Sequence, residues 1–100
     1  MERGLTDRRL FVEQQLFGLQ VRLDRARNEL EVAEGQLIAL SAQLMVAEQR
    51  RSASEIPIAD RACAAVHERL SAISVSTDHA RRLVDELEHT RDGLFAKLVV

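Results

Sequence analysis

Val12, Leu16, Leu19, Leu23, Ala26, Leu30, Ala33, Leu37, Leu40, Leu44 and Ala47 follow one another at alternating steps of four and three residues. That spacing keeps a single stripe of an α-helix turned toward a neighbouring helix for about five heptads, and a strand, whose side chains alternate every second residue, cannot present it. The stripe is a coiled-coil seam. Thr6 and Asp7 offer a start for this helix, since a Thr oxygen can accept an orphan backbone N–H and an acidic first turn suits the helix dipole.

The alternation lapses in "SASEIPIAD", where Ser52, Ser54 and Pro57 gather. Pro57 pushes Ile56 out of helical geometry and is itself suited to a first helical position. From Cys63 the pattern resumes through Val66, Leu70, Ile73, Thr77, Ala80, Val84, Leu87, Arg91, Leu94 and Leu98. The sequence therefore predicts an all-α chain, one domain over 1–100, with helices near 6–51 and 57–98 and a turn at 52–56. No strand is expected. At about 1.5 Å per residue the rod should measure roughly 60–65 Å.

A turn this short favours an antiparallel hairpin, and the two seams test that inference against each other. When residues whose numbers add to 110 are paired, Ala47 meets Cys63, Leu40 meets Leu70, Leu30 meets Ala80 and Leu23 meets Leu87. Every seam residue of one helix then finds a seam residue of the other. Two layers are weak, Leu19 against Arg91 and Ala33 against Thr77; an Arg can lay its stem along such a seam with its guanidinium in water. The same rule puts Arg27 near Arg81 and finds little charge pairing across the hairpin.

The first helix carries a second apolar side. Leu10, Phe17, Ile38 and Met45 share one heptad position, and Phe11, Val32 and Val46 share the next, away from the seam. Asp24 and Glu31 interrupt the stripe, so it forms one patch near the open end and another near the turn. A two-helix rod has little interior, and exposed apolar patches on it invite association. The expected state is a self-associating hairpin, a dimer forming a four-helix assembly, with Leu10, Phe17, Ile38, Met45 and Val46 at the contact. The expected role is that of a non-enzymatic interaction or scaffold module with a further protein partner.

Charge and composition narrow the remaining classes. Charged residues make up 30% of the chain at a net charge of −2, and they are interleaved, which argues against direct nucleic-acid binding or a polybasic membrane anchor. Only three aromatics are present, all Phe, so Leu and Ala must fill whatever core exists. Cys63 is the single cysteine, which excludes an internal disulfide and fits a reducing cytoplasm. The start, "MERGLTDRRLF", has no apolar run of signal-peptide length, and no stretch is expected to behave as a membrane span of about 18 apolar residues.

Chemistry-bearing motifs are sparse. Cys63 and His67 stand one helical turn apart, a spacing that can serve one metal, but no third ligand falls within reach by spacing, and a small buried thiol is the expected state of Cys63. No Ser-His-Asp set, Gly-rich phosphate loop or carboxylate pair is present, so no enzyme, metal or cofactor is expected. The hairpin tip, Arg50, Arg51, Glu55 and Asp60, supports a different reading, a regulator whose tip inserts into a larger machine such as RNA polymerase or the ribosome.

The stretch "AVHERLSAI", residues 65–73, resembles the phospho-accepting segment of two-component sensor kinases, which also lies on a dimerising helical hairpin. The resemblance covers nine residues and implies His67 as phospho-acceptor with Glu68 as its neighbouring acid. The sequence departs from that family by placing the histidine after the turn, on the second helix. Two other families share the outline of two helices in about a hundred residues. The small proteins of type VII secretion carry Trp-X-Gly in the turn, and this chain has no Trp. The hairpin factors that enter RNA polymerase carry paired acids at the tip, where this chain offers Glu55 and Asp60.

Overall fold

The computed structural model describes residues 2–99, which form two long helices, α1 (Glu2–Ala53) and α2 (Pro57–Val99), folded back on each other. Among the described residues there is no strand. The hairpin measures 80 × 16 × 14 Å, and its radius of gyration, 22.3 Å, far exceeds the ~13 Å of a compact chain of this length. Among the described residues nothing has the shape of a globular core.

Both helices run longer than the sequence reading expected. The first begins at Glu2, not near Thr6, because no residue of "ERGLTDRR" breaks a helix outright: Gly4 costs about 1 kcal/mol, and Glu, Arg and Leu are good formers. Its C-terminal end passes 51 to reach Ala53, and α2 ends at Val99. The 52 residues of α1 at ~1.5 Å each account for the 80 Å length, which replaces the shorter rod expected.

The turn is only Ser54–Ile56, with no positive-φ residue among those described. Ser54 holds it together. Its N–H donates to the Arg51 carbonyl at 3.3 Å, and its Oγ accepts the Ile56 N–H at 3.1 Å. Pro57 opens α2, and the Ile56 carbonyl accepts the Ala59 N–H at 3.0 Å, a tight first turn. Arg50 and Arg51 in the last turn of α1 and Asp60 in the first turn of α2 complement the helix dipoles.

Packing follows the seams throughout. Each seam residue from Val12 to Ala47 and from Cys63 to Leu98 is buried or half-buried. Leu19, Leu23, Ala26, Val84 and Leu87 form the main cluster, with Leu30 and Leu94 packed against it. Leu23 is fully enclosed. The two weak layers are accommodated locally. Thr77 is 0% exposed, and its hydroxyl donates to the Ile73 carbonyl at 2.7 Å, so no polar atom is orphaned. Arg91 lies half-buried on the seam, and its Nη2 reaches the Asp92 carboxylate at 3.2 Å.

Charge pairing across the hairpin differs from expectation. Arg27 pairs with Glu88 at 3.5 Å, while Arg81 turns to Asp78 of its own helix at 3.5 Å. The reason is directional: side chains lean toward the N-terminus of their own helix, so antiparallel flanking residues meet when both Cα atoms lie beyond the level point.

Candidate functional site

Away from the seam, α1 carries the apolar stripe uncovered. Phe17 is 76% exposed, Ile38 72%, Met45 64%, Leu10 51% and Val46 46%. Phe11 and Val32 on the adjoining line are exposed as well, and Gln20 ties the intervening Asp24 through a 2.8 Å hydrogen bond. A helix that hides one stripe and leaves another bare keeps contiguous apolar surface in solvent.

The fold extends these patches with residues of the second helix. Near the turn, Val46, Ala42 and Ala47 line a shallow groove together with Ile58, Ala62 and Val66 of α2. At the open end, Phe11 and Val12 share a groove with Ala96 and Leu98, rimmed by Arg8, Arg9 and Lys97. Ile58, 70% exposed, and Phe95, 50% exposed, are apolar surface residues that the reading of α1 alone passed over. Their spacing on α2 held the signal; the groove needed the pairing of the helices.

The tip presents both charge and hydrocarbon. Arg50, Arg51, Glu55 and Asp60 are all exposed, and so are Ile56 and Ile58 on either side of Pro57. The charges at Arg50, Arg51 and Asp60 have a local account in the helix ends described above.

The third grouping lies where Glu48 of α1 meets α2. His67 Nε2 stands 3.4 Å from Glu48 Oε1, and the Cys63 Sγ joins them with all three ligand atoms within 4.8 Å of one another. Cys63 is 1% exposed on the seam, while His67 and Glu48 are roughly half exposed at its edge. The expectation that no third ligand lies near Cys63 and His67 is corrected by this contact. Glu48 comes from the opposite helix, so spacing along one helix could not find it. Glu68 is exposed beside His67.

One further property of α1 changes the sequence reading. Within Thr6–Ala53 an 18-residue window reaches a mean hydropathy of 1.2 with at most two charged residues, which by length and composition could cross a membrane. Seam and outer stripe both contribute to it, since Leu37, Leu40 and Leu44 are interleaved with Ile38, Met45 and Val46.

No protein-family profile, curated protein or solved structure matches the chain.

Proposed function

We propose that this hairpin is a non-enzymatic interaction module that acts by self-association, two copies uniting through the outer stripe of α1 into a four-helix assembly. The observation that carries the reading is the exposure of Leu10, Phe17, Ile38, Met45 and Val46 on a helix whose other apolar stripe is already covered. Surface area supports it. The chain exposes 7913 Å², whereas a compact monomer of its mass exposes about 5,700 Å². The excess, about 2,200 Å², is well above the ~800 Å² that each partner contributes to a standard protein interface.

A second copy suits this surface better than a bilayer does. Insertion of the stretch around Leu37–Val46 with α2 still on its seam would carry the exposed charges of Glu68 and Arg69 with it, and an Arg near the membrane centre costs about 2.5–3.5 kcal/mol. A cytoplasmic location fits the single unpaired thiol of Cys63.

The test is the pair Ile38→Glu and Met45→Glu in one chain. Two charges would be buried unpaired at the contact, while Leu37, Leu40 and Leu44 on the seam stay untouched. Light scattering should show the wild-type assembly falling to a monomer that keeps its helical circular dichroism. A wild type already monomeric at micromolar concentration, or a double variant that remains dimeric, would refute the assignment of this face.

A further inference from the structure

Glu48, Cys63 and His67 bring a carboxylate, a thiol and an imidazole to one point from two helices. These are the donor types that zinc combines, whereas calcium and magnesium take oxygen ligands. The geometry is close to what a tetrahedral ion requires. With metal–ligand bonds of about 2.0–2.3 Å, two ligand atoms of a tetrahedral site stand about 3.3–3.6 Å apart. His67 Nε2 and Glu48 Oε1 are already 3.4 Å apart, and Cys63 Sγ lies within 4.8 Å of a ligand atom of each residue. An approach of about 1 Å by the sulfur completes a three-ligand face on this scale.

The placement has a direction. Cys63 sits on the seam and is 1% exposed, while His67 and Glu48 stand half exposed at its rim. An ion there would be held from beneath by sulfur and from two sides by His67 and Glu48. Its fourth position would face solvent.

We propose that Glu48, Cys63 and His67 form a binding site for a thiophilic divalent cation of the zinc type, with water as fourth ligand, that clamps α1 to α2 next to the turn. Binding forms a metal–sulfur bond, the thiol proton passes to solvent, and no electron is transferred. Because Glu48 belongs to α1 and the other two ligands to α2, the ion fixes the register of the hairpin at its tip. The site lies within one chain and is independent of self-association.

Cobalt(II) is the probe, since a cobalt–thiolate bond gives a near-ultraviolet charge-transfer band and a tetrahedral site gives intense visible bands. The reduced, metal-free full chain should bind one equivalent with both signatures, and zinc should displace it and raise the Tm. Cys63→Ser should lose the charge-transfer band. Because that residue is buried, the half-exposed positions carry the decisive variants. Glu48→Gln and His67→Gln, with helicity intact by circular dichroism, should each weaken cobalt binding at least about tenfold. Absence of the charge-transfer band in the wild type, or unchanged affinity in either of these two variants, overturns the site.

Discussion

Arg27 of α1 and Glu88 of α2 pair at 3.5 Å, and their residue numbers add to 115, the same total as Glu48 and His67, which meet across the hairpin nearer the turn. Two contacts 21 residues apart along α1 that share one total define one register over the distance between them. With the N-terminal lean of helical side chains, residues just outside the seam reach one another at a total a few above that of the seam residues between them. A seam total of 110 satisfies this, and it sets Leu23 against Leu87 and Ala26 against Val84, members of one buried cluster. The ion pair itself, a third or more exposed on both sides, contributes no more than about 1 kcal/mol. Its value here is as a ruler.

That register predicts a specific cross-link. Ala47 lies opposite Cys63, so Ala47→Cys should oxidise to an intrachain disulfide with Cys63, at the Cα separation of about 4.4–6.8 Å that such bonds need. Ala39→Cys, exposed on the outer side of α1, should not link within the chain. Non-reducing electrophoresis of dilute protein with peptide mapping distinguishes them. Equal linking at both positions, or at neither, would discard the register.

Most of the hairpin could be read from residue spacing because a heptad seam declares both the helix and the face it buries. Pro57 marked the start of α2 for a similarly local reason. What escaped depended on the opposite helix or on side-chain direction. Arg27 was expected near Arg81 because counting levels along two rods ignores the lean of the side chains, and that lean delivers it to Glu88. Glu48 reaches Cys63 and His67 by the same geometry, so the metal-ligand cluster is invisible to spacing along either helix. The start of α1 at Glu2 escaped because a helix with no breaker before its apparent cap continues past it.

The two weak layers of the seam should be improvable. Thr77 is fully buried and spends its hydroxyl on the Ile73 carbonyl, a group also served by the helix's own N–H ladder. Thr77→Val removes the hydroxyl without orphaning an acceptor, so it should leave stability unchanged or raise it by up to about 1 kcal/mol. Arg91→Leu replaces a half-buried stem beside a carboxylate with a side chain that fills the layer against Leu19, and burial of apolar area should add about 1–2 kcal/mol. Thermal unfolding at fixed protein concentration measures both. A marked loss of Tm in Arg91→Leu, or its conversion to a different oligomer, would assign Arg91 a register-setting role instead.

Glycines on the outside of the rod give the last prediction, which reports on the uncovered faces without adding charge. Gly18 follows Phe17 on α1, and Gly35 lies between Val32 and Ile38, three residues from each; a Cβ built at either position meets nothing within 4 Å in the single hairpin. In a helix open to solvent, Gly→Ala is favourable by up to about 1 kcal/mol, or about 4–8 °C in Tm for a domain near this size. Gly35→Ala, one turn from Ile38 on the outer side of α1, should show this gain in the single hairpin, and any change in the assembly reports on the patch near the turn. Gly18→Ala separates two cases, because it borders the stripe assigned to self-association. If the second chain packs closely over Phe17, the added methyl should weaken the dimer measured by sedimentation while the monomer's helix gains stability. A Gly18→Ala protein that gains the full increment and dimerises as tightly as wild type would move the contact toward Ile38 and Met45, leaving the open-end patch at Leu10 and Phe17 free for a different protein.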